Sequence, residues 1–283
     1  MPSSPYQIRP MNRNEITLAI DWAAAEGWNP SDHDADAFYL AAPNGFLVGL
    51  VDEKPIACIS AVKYSPQFGF IGFYIVHPDY RGQGYGIQIW KAALEQLAGC
   101  NVGLDGVVAQ QENYRQSGFT LAYRNIRYEG IQQQAPSSAI SIHDVSALPF
   151  ELIDQYDQSL FPAPRPSFLK AWLTHPQSHA IAHVENNKMA GYGVIRKCRS
   201  GYKVGPLFAN TNDIANTLLS TLVSKIPAGE TYYLDVPETN EAAVSLAQNR
   251  NMSVVFETAR MYTEEAPSID VGRVYGVTSF ELG

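Results

Sequence analysis

The residues with the clearest chemical meaning stand together at Arg81-Gly82-Gln83-Gly84-Tyr85-Gly86. Alternating glycines let a backbone come close to a ligand. Apolar residues then recur at Ile87, Trp90, Leu94 and Leu97, and spacings of three and four predict a helix that opens within the loop. The first amides of such a helix lack intrahelical acceptors. With the positive end of the helix dipole they form a site for phosphate oxygens. Ahead of the loop, Phe70 to Val76 reads as a buried strand, followed by a turn at His77 to Tyr80. A dinucleotide fingerprint needs its third glycine at position 87, which is Ile87; Asp105 falls about where a ribose-binding acid would sit, but the strand is not the first of its unit. A mononucleotide loop needs Gly-Lys-Ser/Thr, which is absent.

Strand, turn, loop and helix together, from Tyr74-Ile75-Val76-His77-Pro78-Asp79-Tyr80 into Arg81-Gly82, resemble the arginine-x-x-glycine-x-glycine element of the GCN5-related N-acetyltransferases (GNAT). The resemblance implies acetyl-coenzyme A as co-substrate. Arg81, Gly82, Gln83, Gly84, Tyr85 and Gly86 would bind its pyrophosphate, and main-chain groups of Tyr74, Ile75 and Val76 its pantetheine arm and thioester. It also implies a catalytic role for Tyr114, in Tyr114-Arg115-Gln116-Ser117-Gly118-Phe119, as the helical tyrosine that protonates the departing thiolate. The turn Glu26-Gly27-Trp28-Asn29-Pro30 corresponds to the family's acceptor loop, so Glu26, Trp28, Asn29 and Asp32 become candidate substrate contacts. Acyl transfer to an amine needs a neutral amine, a donor for the carbonyl oxygen and a proton for the thiolate, and holding the reactants together supplies much of the rate. Many relatives carry a glutamate on the central strand, yet Phe70 to Val76 contains no acid. The base is left open among Glu26, Asp32, Asp34 and His33 acting through water, or an acid supplied by the second half of the chain.

These residues need a scaffold. Tyr6 to Pro10 reads as a strand, a helix capped by Asn14 runs towards Trp28, and a short helix spans Asp34 to Ala42. Phe46 to Val51 and Ile56 to Tyr64 read as a hairpin about Asp52-Glu53-Lys54. After the central strand and helix come a strand at Val102 to Val108, a helical segment at Glu112 to Ser117 and a strand at Thr120 to Tyr128. This order predicts an α/β fold with a sheet of mixed direction, the order the resembling family shows. Gln132 to Ser138 is polar and aperiodic, a linker between domains at 1–131 and 139–283.

Beyond the linker the pattern restarts. Asp52-Glu53-Lys54 is echoed by Asn186-Asn187-Lys188, Leu104-Asp105 by Leu234-Asp235, and Arg127-Tyr128 by Arg260-Met261-Tyr262, at offsets of 130 to 134 residues. A duplicated domain follows. The second copy lacks the glycine loop, and Ala247 stands where Tyr114 stands in the first, although Asn240-Glu241-Ala242-Ala243 keeps the family's Asn-x-x-Ala phrase. It resembles the degenerate C-terminal half of tandem acetyltransferases, including Gly205-Pro206-Leu207-Phe208-Ala209 and the closing Tyr275 to Gly283.

Composition bounds the rest. With 46% hydrophobic residues against 17% charged the chain is globular, and a net charge of −8 argues against nucleic acid as partner. Arg81 to Arg127 holds five basic and three acidic residues, whereas Glu26 to Glu53 holds six acids and no Lys or Arg; the first suits an anion and the second a cationic amine. No signal peptide or membrane span is expected, so the expected compartment is cytoplasmic, with no membrane partner. Cys58, Cys100 and Cys198 form no disulfide framework. His175, His179 and His183 are broken by Pro176 and by strand-like alternation, so no metal is expected. The expected activity is N-acetyl transfer to the primary amine of a small, cationic molecule. The alternatives are an acyl-coenzyme A sensor, or modification of a protein or peptide docked by the second domain. Oligomeric state is not readable from the chain.

Overall fold

The computed structural model describes residues 6–133 and 141–283, so the expected linker lies outside them from residue 134 onward. The first half runs β1 (Gln7–Pro10), α1 (Ile16–Ala25), α2 (Asp34–Ala41), β2 (Phe46–Val51), β3 (Lys54–Lys63), β4 (Phe68–Val76), α3 (Tyr85–Gln96), β5 (Asn101–Val107), α4 (Gln111–Gln116) and β6 (Thr120–Ile131). The second half repeats the order as β7 (His143–Asp144), α5 (Phe150–Gln158), α6 (Pro166–Leu173), β8 (Ser178–Glu185), β9 (Lys188–Lys197), β10 (Tyr202–Ala209), α7 (Asn212–Val223), β11 (Thr231–Pro237), α8 (Glu241–Asn249) and β12 (Ser253–Tyr262). A short β13 (Val274–Gly276) has no counterpart in the first half.

Local chemistry sets the boundaries. Asn12, not Asn14, opens the first helical stretch: its Oδ1 accepts from the amides of Asn14 and Glu15, while Glu15 accepts from the Asn12 amide. The hairpin turns β2–β3 and β8–β9 use the same device. Asp52 and Glu53 sit at φ 49° and 62°, and Asn186 and Asn187 at 51° and 61°, the paired left-handed conformations that match strand twist. In α3 the buried face is Ile89, Trp90, Ala93 and Leu97, while Ile87, expected on that face, is 50% exposed because it borders a cleft.

All thirteen strands form one sheet, in the order β1-β2-β3-β4-β5-β12-β6-β11-β10-β9-β8-β7, with β13 beside β10. Exchanging each strand for its counterpart leaves that order unchanged, so the halves are related by a two-fold. Among the described residues, only β4–β5 and β10–β11 are parallel. The last strand of each half has crossed over: β12 lies between β5 and β6, and β6 between β12 and β11. The linker therefore divides the chain without dividing the sheet.

The sequence echoes explain the crossing. Asp105 on β5 accepts from Arg260 Nε and Nη2 of β12 at 2.8 and 2.5 Å, and Asp235 on β11 accepts from Arg127 Nε and Nη2 of β6 at 2.6 and 2.7 Å. These are duplicate positions, each bonded to the other half, and the side chains of both pairs are buried. One sheet face is covered jointly by α1, α2, α5 and α6, where Phe38 packs 5.5 Å from Phe73 and 5.9 Å from Trp172 of the second half. The alternate strand residues carry α3 and α4 over the first half and α7 and α8 over the second.

Removing one partner of a buried, bidentate pair strands the other charge, at a cost of about 3–5 kcal/mol. Arg260→Ala is therefore expected to lower the urea midpoint of the whole chain in a single transition. A second transition, with one half surviving, would show that the halves fold separately.

Candidate active site

The central strand leaves its neighbour halfway along. The β4–β5 ladder runs from Phe68↔Asn101 to Ile71↔Leu104 and stops, while β5 continues paired to β12. On its other side β4 carries a bulge: Cys58↔Ile75 and Ser60↔Gly72 set Phe73 and Tyr74 against Ile59 alone, with Phe73 at φ 49°. The gap becomes a cleft of about 910 Å³ between Gly72–Val76 and Asp105–Val107.

One end of the cleft is the glycine loop. Gly82 and Gly84 have φ 73° and 84°, and Gly84 is the N-cap of α3 with no side chain bonded to the helix amides. The first turn of α3 thus faces the cleft with its donors uncapped, and Gly86 lets it approach β4: a Cβ there would lie 2.7 Å from Tyr74 Oη. Arg81 Nε donates to the Val76 carbonyl at 2.8 Å and the guanidinium pairs with Glu26. An open strand edge leading to uncapped amides beside an arginine fits a coenzyme with a pyrophosphate and an extended amide-bearing arm.

Tyr114 faces the cleft from α4, packed on Gly106 and 5.7 Å from the Trp90 ring. Burial, helped by nearby Tyr74, pushes its hydroxyl up to about 12. The cleft also gathers Tyr74, Ile75, Val76, Arg81, Gly82, Gly84, Gly86, Glu26 and Trp28. The side chains of the remaining expected residues point elsewhere. Gln83 Nε2 donates to the Asp79 carbonyl, and Tyr85 packs 4.9 Å from Tyr6. Asn29 exchanges hydrogen bonds with the Ser200 main chain, and Asp32 pairs with Arg199. Asn29 and Asp32, expected as substrate contacts, tie this turn to the second half. Arg127 and Lys203 add to this, donating to the Trp28 carbonyl at 3.2 and 2.8 Å.

Four of the six acids in the acidic stretch are already paired. Glu26 pairs with Arg81, Asp32 with Arg199, Asp34 with Arg196 and Asp36 with Arg13. Asp34 is buried, which alone would raise its carboxyl. Arg196 and His175 outweigh that and hold it well below the usual range. His33, also considered as a base, packs edge-on against His175 at 6.0 Å. Among the described residues no group of three His, Cys, Asp or Glu could hold a metal ion, and no helix is long and apolar enough to cross a membrane.

The equivalent crevice of the second half is filled. The β10–β11 ladder covers Tyr202–Val204 and then opens, as in the first half, but β13 pairs with β10 at Leu207 and Phe208, and the Val277 amide donates to the Asp235 carbonyl of β11. Only residues 210–211 separate β10 from α7, and Thr211 Oγ1 accepts from the Ile214 amide, capping the helix whose counterpart is open. Asn240, kept from the family phrase, caps α8 through the Ala243 amide and donates to the carbonyls of Val271, Gly272 and Val274, fixing the approach to β13.

Beyond β13 the chain crosses back to the first half. The Leu282 carbonyl accepts from Tyr64 Oη, and a Cβ on Gly72 would lie 2.0 Å from the Glu281 carbonyl, so only glycine lets this segment rest on β4. Phe280 and Glu281 thereby enter the first-half cleft, where β12 adds Phe256 and Thr258. Sequence reasoning did not find these four. The closing phrase was visible only as part of a resemblance, and no periodicity relates residue 281 to residue 72.

Comparison with known proteins agrees with this geometry. Residues 14–119 match the acetyltransferase (GNAT) family and residues 153–276 an acetyltransferase (GNAT) domain. The holothin acyltransferase of Pseudoalteromonas sp. (strain SANK 73390) is 28% identical over 98% of this chain and 95% of its own. A putative acetyltransferase from Pyrococcus horikoshii superposes with a TM-score of 0.83 at 21% identity, covering 98% and 96% of the two chains. A tandem GNAT protein from the clavulanic acid biosynthesis pathway gives 0.65 at 12%, covering 93% and 100%. The chain belongs to the GNAT superfamily, as a tandem of two such domains.

A branched side chain at Gly84 would be strained at φ 84°, although a Cβ there meets no atom within 4 Å. Gly84→Val is expected to abolish coenzyme A binding measured by calorimetry while the protein stays folded by circular dichroism. Unchanged affinity would remove the loop from the binding site.

Proposed function

We propose that the protein is an N-acyltransferase that moves an acyl group, acetyl in the first instance, from acyl-coenzyme A to the primary amine of a small molecule by direct attack, with Tyr114 as general acid. The observation that carries this reading is the single cleft that collects the loop, the open edge of β4 and the Tyr114 hydroxyl. Bound there, the coenzyme supplies an activated thioester. The loop amides and Arg81 hold its phosphates. Main-chain amides of the bulged Tyr74–Val76 segment orient the arm and donate to the carbonyl as charge develops. Tyr114, which keeps its proton far above neutral pH, donates to sulfur as the bond to carbon breaks. Two observations support a small acceptor: Trp28, Phe73, Phe256 and Phe280 from both halves wall the acceptor end, and a full-length relative is described as an acyltransferase of holothin.

Thiol release from acetyl-coenzyme A across a panel of small primary amines tests the activity; no release with any amine would contradict it. Tyr114→Phe is expected to lower kcat by about 10²-fold with unchanged affinity for coenzyme A. An acid titrating near 12 stays protonated below that pH, so the wild-type rate should show no fall centred on about pH 10, where an unperturbed tyrosine would titrate. A full rate in the variant would remove Tyr114 from the chemistry.

A further inference from the structure

Three carboxylates border the cleft, and two are bound. Glu26 pairs with Arg81, and Asp105 accepts from Arg260 and Asn125. The third, Glu281, is only 4% exposed, and its Oε2 has no hydrogen-bond partner among the described residues. Two more orphans line the same cleft: Thr258, 2% exposed, with its Oγ1 unpartnered, and Trp90, with its Nε1 unpartnered. Leaving buried polar atoms unpaired costs about 1–3 kcal/mol each, so three in one cleft point to a ligand that completes them, and of the three only Glu281 carries a charge. Around them stand the rings of Trp28, Phe73, Phe256 and Phe280, with Trp28 6.5 Å from Phe73 and Phe256 6.2 Å from Phe280.

We infer that Glu281, carried into the first-half cleft by the second half, binds the ammonium of an acceptor whose body is an apolar or aromatic ring and serves as the base for its attack, with Thr258 orienting the same nitrogen. The base role rests on the acyl-transfer reading above; the ammonium site does not. In the reaction the ammonium gives one proton to the Glu281 carboxylate, which releases it to solvent. The nitrogen lone pair then forms the C–N bond as the C–S bond breaks, and sulfur takes the Tyr114 proton. The second nitrogen proton leaves by way of Glu281 and restores the Tyr114 hydroxyl. Glu281 thus supplies the acid missing from β4.

A bland role competes. The charges that act on this region are Arg127 on β6, Arg196 on β9 and Lys203 on β10, with Asp34 on α2 and Asp235 on β11, and Cys198 buried beside them. Glu281 would be the third anion of a balanced cluster. The cations, however, already have partners: Arg127 is held by Asp235, Arg196 by Asp34, and Lys203 donates to the Trp28 carbonyl. None of them donates to Glu281 Oε2.

Phenethylamine and 2-phenylethanol, alike in shape and different in charge, separate the two roles by calorimetry without acyl-coenzyme A. The wild type should bind the amine at least tenfold more tightly near neutral pH. Glu281→Gln should lose that preference while keeping coenzyme A affinity, and Glu281→Asp should restore part of it. With amines that release thiol, Glu281→Gln should lower kcat about 10²-fold and flatten the acid limb of the pH profile. Equal binding of amine and alcohol by the wild type, or an undiminished preference in Glu281→Gln, would overturn the site and leave Glu281 a counter-ion. A wild type that prefers the amine but releases no thiol would refute acyl transfer and leave the ammonium site standing.

Discussion

Two buried Asp–Arg pairs hold this architecture together. Asp105–Arg260 and Asp235–Arg127 are one interaction made twice, each joining a fifth strand of one half to a last strand, so that β12 and β6 are locked inside the partner's part of the sheet. Taking four charged groups out of water is unfavourable unless every pair is complete. Asn125 adds a third donor to Asp105, and Arg127 lies 4.7 Å from the Phe280 ring. What the pairs specify is which strands are neighbours. Without the exchange β12 would not lie beside β5, and the floor of the cleft would lack Phe256 and Thr258.

From this near-symmetric frame the chain builds an asymmetric result. Both halves splay their parallel pair after a few residues, and both start a helix at the mouth of the splay. In the first half the helix keeps uncapped amides behind a glycine loop. In the second, Thr211 caps the helix and β13 occupies the crevice, answering by its own backbone the hydrogen bonds an extended ligand would otherwise make. The second half still shapes the first, because its last residues form the floor of the open cleft and Arg199, Ser200 and Lys203 fix the turn from Trp28 to Asp32. That coupling is the physical reason a tandem would keep a copy whose own crevice is closed.

The sequence made much of this legible, and where it failed the cause is specific. The loop, its strand and its helix could be read because glycine spacing and helical periodicity are local signals. The duplication could be read because paired turn residues and Asp–Arg positions recur at offsets of 130 to 134 residues. The strand exchange could not, since either pairing of β6 and β12 buries the same residues on the same faces. The acidic run from Glu26 to Glu53 looked like a cation site because two of its counter-charges, Arg196 for Asp34 and Arg199 for Asp32, lie more than 150 residues away in the chain. Gly72 carries a signal only in retrospect: a glycine inside a buried strand marks the close approach of another backbone, here that of Glu281.

The most direct measurement is a crystal structure with coenzyme A bound. The account predicts one molecule per chain, its pyrophosphate on the amides of Gly82 to Gly86 and its arm along the free edge of Tyr74 to Val76, with β13 still seated between β10 and β11. Coenzyme A between β10 and β11 with β13 displaced, or an empty first-half cleft at saturating ligand, would contradict it.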